Sequence, residues 1–165
     1  MSKTDAFFSV EKTWYLFSTS LVNNHINRRL HIKDDNPPLW ATGGIHLLLR
    51  YVAHRYDRAC RKFPFYRKFV DIFEIERLSE RVISPAADFG EGWFLPGEIC
   101  HLAESGVKKV VSLQPFGCIA NHIISKGIEK RLKETFPNLS LLFLDFDSGT
   151  SEANVQNRLH FMLNG

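Results

Sequence analysis

Cysteines are few and scattered in this sequence. Only three of the 165 residues are cysteine, Cys60, Cys100 and Cys118, and they have neither close spacing nor a secretory leader before them. Three cysteines cannot all pair with one another, so a disulfide framework is not indicated. We therefore expect a protein of the reducing cytoplasm.

Long hydrophobic runs and concentrated positive charge are also missing. Charged residues interrupt every apolar stretch before it is long enough to cross a bilayer, so we expect no membrane partner. The net charge is only +3, and the basic clusters Arg28-Arg29 and Arg61-Lys62 are short. No basic stripe with interleaved aromatic residues appears, and we expect no nucleic-acid partner.

What the chain does contain is enough apolar material for a globular core. Hydrophobic residues make up 44% of the sequence, and 14 residues are phenylalanine. The apolar fraction is ordinary for a folded domain. The large number of phenylalanines indicates extensive buried surface, part of which is expected to serve a partner.

The first half, residues 1–83, shows apolar residues at helical spacing. The expected helices run from Ser9 to Leu30, from Gly44 to Arg61, and through the segment from Phe69 to Val82. The breaks between them are Asp34-Asp35-Asn36-Pro37-Pro38 and Pro64. On the third helix we expect Glu76 on the polar face, opposite the apolar residues.

A loop rich in proline and glycine follows at residues 84–97. Within it, Gly90-Glu91-Gly92-Trp93 is too loose for a phosphate loop and is expected to expose its aromatic residue. The next helix is expected from Gly97 to Glu104, with Pro96 in its first turn. Gly106 suits a left-handed cap at its end.

From there the pattern is β-α-β-α. The expected elements are a buried strand from Lys108 to Leu113, a helix from Ile119 to Phe136, a strand from Leu139 to Phe146 and a helix from Ser151 to Leu163. A right-handed crossover would make the strands parallel neighbours. The second strand is continuously apolar, as in a strand covered on both faces. The class is therefore α/β, with a helical extension over 1–83 and the β-α-β-α unit over 84–165.

A sheet of two strands is marginal alone, and its free edges invite pairing. We therefore expect the chain to be a piece of a larger protein.

The candidate site is the junction after the first expected strand. Cys118 would lie at a helix N-terminus, where free N–H groups and the helix dipole favour a thiolate. His122 follows four residues later, so both could face a metal or form a thiolate–imidazole pair. Equally, Cys118 could be a buried residue and His122 a packing residue.

The sequence does not contain the residues that a zinc site or a phosphatase-type loop would need here. A zinc site needs four ligand positions, and no second Cys-x-x-Cys or histidine pair supplies them. A phosphatase-type loop needs an arginine soon after the cysteine, and the seven residues after Cys118 contain none.

Asp145 and Asp147 end the second expected strand, and their spacing places both on one face while the strand continues. They could hold a cation or orient His122. The alternative is that they cap the last helix.

Three segments carry a resemblance to a known family. They are Gly90-Glu91-Gly92-Trp93, the segment Gln114-Pro115-Phe116-Gly117-Cys118-x-x-Asn121-His122, and Asp145-Phe-Asp-x-Gly-Thr-Ser-Glu-x-Asn154-x-x-Asn157-Arg158. Over 84–165 the chain resembles the C-terminal region of the large proteins related to the activator of 2-hydroxyacyl-CoA dehydratases. That region is similar to the β-subunit-like domain of those dehydratases, of benzoyl-CoA reductases and of double-cubane-cluster proteins.

The resemblance implies a flavodoxin-like unit and an iron–sulfur cofactor. Cys118 would be one thiolate ligand of a [4Fe-4S] or double-cubane cluster, and the other ligands would come from other domains of the parent protein. Gln114, Asn121 and His122 would surround the cluster and tune it. Arg158 would brace the last helix, with Asp145 as its partner.

This chain lacks the activator's nucleotide-binding half and its cluster cysteines, so the fragment is expected to be inactive alone, and the resemblance implies the cluster for the intact protein. Partners implied are an acyl-CoA dehydratase-like component and a second copy of the chain. The alternatives are a non-catalytic scaffold or docking module, and a thiol enzyme that uses Cys118 with His122.

Overall fold

The fold is that of a computed structural model, which describes residues 12–33, 35–63, 66, 68–88, 92–147 and 149–164, with the backbone alone for 12–17, 120 and 125. The elements in chain order are α1 (Lys12–Arg29), α2 (Leu39–Cys60), α3 (Ile72–Ser79), α4 (Phe94–Glu104), β1 (Lys109–Pro115), a π-helix (Ala120–Ser125), α5 (Glu129–Thr135), β2 (Ser140–Phe146) and α6 (Glu152–Asn164). The mixed helical and sheet class, with helices first, is confirmed. The expectations on Ser9, Val10, Asp34, Pro64, Gly90 and Glu91 fall outside the described residues.

The two strands are parallel neighbours, as expected. Lys109 lies opposite Ser140, and the register continues to the pair of Pro115 and Phe146. The Ser140 N–H donates to the Lys108 carbonyl at 2.7 Å. A helical crossover joins the strands because parallel neighbours cannot be linked by a tight turn.

The expectation that β1 is a buried strand is wrong. Val110 and Gln114 are buried on one face, whereas Val111 and Leu113 on the other face are 39% and 44% exposed. The reason is that Val110 packs into a core cluster with residues of α4 and α5, while α6 contacts β2. The part of the second sheet face that β1 forms is therefore left uncovered by the described residues.

β2 is covered on both faces only at its centre. Phe143 and Leu144 point to opposite faces and are both buried, but Phe146 at the end of the strand is 54% exposed. The expectation of a strand covered throughout is therefore confirmed for the middle and wrong for the end. The end lies beside the candidate site.

Two buried clusters hold the molecule together. The first joins the end of α3 to α4, the strands and α5, through Leu78, Val82, Ile99, Cys100, Val107, Val110, Ile128, Leu132 and Leu139. The second joins α1 and α3 to the start of α4, through Val22, Ile26, Ile72, Ile75, Trp93 and Phe94. Ile83 packs against both.

Helix α4 begins at Phe94 rather than at Gly97, and Pro96 lies in its first turn as expected. Gly106 has φ of +85°, which confirms the left-handed position after the helix. The close approach of α4 to α3 requires Gly97, because a Cβ there would lie 2.5 Å from the Ile75 carbonyl oxygen.

The expectation that Trp93 is exposed is wrong. Its side chain is 1% exposed, and the indole N–H donates to Asn23 Oδ1 at 2.8 Å. The preceding Gly92 allows this, because a Cβ at position 92 would overlap the Ala87 carbonyl. The tight turn folds the aromatic residue inward, onto α1.

Glu76 also departs from its expected exposed position. It is 7% exposed, with one carboxylate oxygen 3.7 Å from the Arg29 guanidinium. Helix α1 covers this part of α3, which the periodicity of α3 alone does not indicate.

Helix α2 begins at Leu39 instead of Gly44, directly after Pro38. Asp57 is its one fully buried side chain, and its carboxylate accepts hydrogen bonds from the Tyr66 hydroxyl and, at 3.2 Å, from the Phe69 N–H. The apolar residues that outline the helix in the sequence are exposed: Leu47, Leu48, Tyr51, Val52 and Tyr56. No described helix is long and apolar enough to cross a membrane.

The helix expected from Ile119 to Phe136 is divided into the π-helix and α5. Ile128 and Leu132 face inward as expected, but Ile123 is 66% exposed. A π-helix has more residues per turn than an α-helix, so it changes which side chains face the core.

Candidate functional site around Cys118

Cys118 lies in a tight loop at the carboxyl end of β1. The loop closes through Gly117, with φ of +76°, and through the Cys118 N–H, which donates to the Pro115 carbonyl at 3.1 Å. The Cys118 carbonyl then accepts the first helical hydrogen bond, from the His122 N–H at 3.0 Å. The expected order of strand, loop and helix start is confirmed, and the thiol is half-buried.

Asn121 contacts the sulfur directly, and Gln114 contacts Asn121. The Asn121 side-chain amide donates to Cys118 Sγ at 2.9 Å. Gln114, fully buried at the end of β1, donates through Nε2 to the Asn121 carbonyl at 3.0 Å. The strand therefore fixes the residue whose side chain contacts the thiol.

His122 lies in the site but turns away from the thiol. Its Nδ1 is 2.9 Å from the Cys118 carbonyl oxygen, and its Nε2 is 3.3 Å from Asp145 Oδ1. Both ring nitrogens therefore have other partners, and the thiolate–imidazole contact that the spacing allowed is not formed.

Asp145 contacts His122, in keeping with one of the roles considered for it, the orientation of that histidine. The other role, a cap for the last helix, is wrong for Asp145, because its carboxylate contacts His122 and Lys126. Lys126 Nζ lies 3.4 Å from Asp145 Oδ2. Sequence reasoning missed Lys126, although its position four residues after His122 in a helical segment places both on one face.

Asp147 has a separate, local role. Its Oδ1 accepts hydrogen bonds from the Gly149 N–H and from the Thr150 hydroxyl, both at 2.8 Å. These contacts shape the loop before α6. The carboxylates of Asp145 and Asp147 therefore contact different groups.

Arg158 has a different partner from the one implied by the resemblance. Its guanidinium donates to the Phe143 carbonyl on β2 at 2.8 Å. Asp145 was the expected partner, but its carboxylate faces His122 and Lys126 on the π-helix and the turn after it. Arg158 still ties α6 to the strand, through the backbone.

Two buried acceptors near the thiol have no donor. Gln114 Oε1 and Asn121 Oδ1 make no hydrogen bond within the described part of the chain. Such a group costs roughly 1–3 kcal/mol. Unsatisfied buried polar atoms are rare in folded proteins, and a bound water, an ion or a functional role is the usual explanation for them.

Exposed apolar side chains surround the loop. This apolar rim consists of Phe116, Ile119, Ile123 and Phe146, which are between 53% and 81% exposed. Phe116 and Phe146 are neighbours, because the Phe116 N–H donates to the Phe146 carbonyl. The half-buried thiol therefore lies within a surface of low polarity.

The other metal-binding side chains do not converge on Cys118. No group of three histidine, cysteine, aspartate or glutamate residues within the described ranges could hold a metal ion. Cys100 lies in the buried core, and Cys60 ends α2. The described residues around Cys118 therefore do not form a complete metal site.

Comparison with known proteins found no match for this chain among protein-family models, curated proteins or solved structures.

Proposed function

We propose that Cys118 is one thiolate ligand of an iron–sulfur cluster, of the [4Fe-4S] or double-cubane type. The observation that carries this proposal is the hydrogen bond of 2.9 Å from the Asn121 amide to Cys118 Sγ. Hydrogen bonds to the sulfur ligands are one of the means by which proteins set cluster potentials. The amide donates to the sulfur, and a thiolate that ligates a cluster accepts hydrogen bonds of this kind.

The residues around the thiol fit one corner of such a cluster. Gln114 holds Asn121 in place, and the apolar rim would exclude water from the sulfur once a partner covers it. The His122–Asp145–Lys126 group supplies fixed charge on one side of the loop. These groups would adjust the electrostatic environment of the ligand.

The remaining ligands are proposed to come from other domains of a parent protein with a flavodoxin-like arrangement in this region, or from an acyl-CoA dehydratase-like component. When bound, such a cluster passes single electrons at low potential, here driven by ATP hydrolysis in an activator domain. This chain would provide the ligand and its surroundings, in the cytoplasm, and is not expected to be catalytic alone.

The decisive experiment measures iron and sulfide bound per chain after anaerobic reconstitution with ferrous iron, sulfide and an exogenous thiol. Wild type, Cys118→Ser and Cys60→Ser are compared, because Cys60 is also half-buried but lies on α2. We expect Cys60→Ser to bind iron like wild type and Cys118→Ser to bind none. Asn121→Ala should lower iron affinity by roughly 10–100-fold.

The same variants should be compared in the longest natural chain that contains this segment. Equal iron content in wild type and Cys118→Ser there would disprove the proposal. Loss of iron in Cys60→Ser, with iron retained in Cys118→Ser, would show that Cys60 is the ligand and that the proposal names the wrong cysteine.

A second candidate is a scaffold or docking module without a cofactor. The observation in its favour is the exposed apolar surface of α2, where Trp40 is 81% and Leu47 is 67% exposed. Well-folded, iron-free protein in the longest natural chain, with Cys118 inert to alkylation, would favour this module over the cluster ligand.

A further inference from the structure

The two edges of the sheet differ in what covers them. In a parallel pair, alternate residues of each strand direct their N–H and C=O groups to the neighbouring strand. The Ser140 N–H donates to the Lys108 carbonyl, and the Phe116 N–H donates to the Phe146 carbonyl. The even-numbered residues of β1 therefore direct their backbone N–H and C=O groups toward β2. Lys109, Val111 and Leu113 therefore direct their backbone groups outward.

The outer edge of β2 is partly occupied by side chains from the segment that follows it. Its odd-numbered residues point away from β1, and the Phe143 carbonyl among them accepts the Arg158 guanidinium at 2.8 Å. No described residue bonds the outward groups of Lys109, Val111 and Leu113 in this way. Open edges of this kind are templates for another strand.

The side chains of the open edge are apolar and accessible. Val111 and Leu113 lie on the uncovered face of β1, at 39% and 44% exposed. Pro115 has no N–H group, so it ends the usable edge on one side. The edge is thus short, with Val111 at its centre.

We propose that this edge pairs with the same edge of a second copy of the chain, antiparallel and centred on Val111. A two-fold axis at Val111 places each Lys109 opposite Leu113 of the other copy. All outward N–H and C=O groups of the three residues then find partners, in hydrogen-bonded pairs. The result is a continuous four-stranded sheet with the two β2 strands outside.

The register avoids repulsion between like charges. Lys109 is the charged residue of the three, and the two-fold places it opposite a leucine, so no like charges face each other. A register centred elsewhere leaves outward groups unpaired or meets Pro115. This inference does not depend on Cys118 or on a cluster.

Sedimentation equilibrium on the full chain, from about 1 μM to about 1 mM, tests the pairing over the range where weak interfaces associate. The monomer mass is 19.0 kDa, and we expect a concentration-dependent mass that approaches twice this value. Val111→Lys places two lysines opposite each other and should raise the dimer dissociation constant at least about tenfold.

A matched pair of variants tests the register. Leu113→Lys faces Lys109 of the other copy and should weaken the dimer at least about tenfold, whereas Leu113→Glu faces the same lysine and should keep it. Trp40→Ser changes an exposed residue of α2 and should have no effect. Circular dichroism of each variant checks that the fold is retained.

Amide hydrogen exchange supplies a readout for single residues. The amides of Val111 and Leu113 should become protected as concentration rises, while those of Val110 and Ser112 are protected throughout by β2. A monomer at all concentrations, a dimer weakened by Trp40→Ser instead, or equal effects of Leu113→Lys and Leu113→Glu would each overturn the proposal.

Discussion

At the scale of single residues, the cysteines occupy contrasting environments. Cys100 is fully buried, and burial raises the pKa of its thiol to about 11, with Glu104 adding to the effect and Arg81 opposing it. Cys60 and Cys118 are half-buried. Cys100 therefore packs in the core, whereas the thiols of Cys60 and Cys118 are partly accessible to reagents.

We predict that iodoacetamide at pH 8 labels Cys60 and Cys118 in the native protein and spares Cys100. A thiol with a pKa near 11 is only about one part in a thousand thiolate at that pH, and the fold also blocks access. Mass spectrometry of peptides locates the label. Modification of Cys100 as fast as Cys60, without denaturant, would contradict the prediction.

Glu76 is a buried carboxyl with a pH-dependent contribution to stability. Burial raises its pKa above 4.5, and the nearby Glu80 carboxylate raises it further, while Arg29 and His25 oppose both. The folded protein therefore holds this proton more tightly than the unfolded chain. Its stabilising effect is complete below the unfolded pKa and is lost as pH rises through the folded value.

We predict that Glu76→Gln makes the protein more stable at pH 7, by up to about 1 kcal/mol, and removes this part of the decline above pH 4.5. Urea unfolding at several pH values measures the effect. The control is Glu74→Gln, an exposed residue of the same helix. An identical pH dependence in wild type and Glu76→Gln would show that the carboxyl is not the cause.

At the scale of elements, the contact of α3 with α4 depends on a missing side chain. A Cβ at Gly97 would lie 2.5 Å from the Ile75 carbonyl oxygen and 2.8 Å from Ile75 Cγ2. Backbone cannot move as easily as the end of a side chain, so the helices would have to separate.

We predict that Gly97→Ala lowers the unfolding free energy by about 1–3 kcal/mol. Gly43→Ala is the matched control, because Gly43 lies within α2 and an added Cβ there meets nothing within 4 Å. It should be neutral or stabilise by up to about 1 kcal/mol, as expected for alanine in an exposed helix. Urea denaturation of both variants decides the comparison, and equal changes would argue against a close α3–α4 contact.

At the scale of the whole molecule, the two buried clusters share helices. Helix α3 contributes Ile75 to one cluster and Leu78 to the other, and Ile83 packs against both. Residues before and after position 83 are therefore buried together. This arrangement couples the helical half to the sheet.

We predict that Leu132→Ala in α5 lowers the urea concentration at which the surroundings of Trp93 unfold, although Trp93 lies in the other cluster. Leu132 is fully buried, and its truncation should cost about 2–5 kcal/mol. Tryptophan fluorescence in urea, on a background with both Trp14→Phe and Trp40→Phe so that Trp93 is the remaining tryptophan, should shift together with circular dichroism. A Trp93 transition unchanged by Leu132→Ala would mean that 1–83 and 84–165 unfold as separate units.

The parts of the candidate site that the sequence predicts are those set by residues close together along the chain. The strand, the glycine turn and the first helical turn place Cys118, so the pattern of the sequence was enough to single out the thiol. Asn121, which donates to it, was named only through the family resemblance. Asp145 required the parallel register, which brings the end of β2 beside the end of β1. The change to a π-helix at Ala120–Ser125 has no signal in the sequence that we could identify.

The amino-acid sequence by itself determined the order of helices and strands, the parallel pairing and the place of Cys118, because periodicity, turn residues and crossover length act over short distances. Only the tertiary structure decided which apolar residues are buried. Trp93 is inside and Trp40 outside, although both are tryptophans beside a helix start. Burial depends on neighbours that are distant along the chain: Asn23 and Val22 reach Trp93, whereas no fold segment covers Trp40 among the described residues.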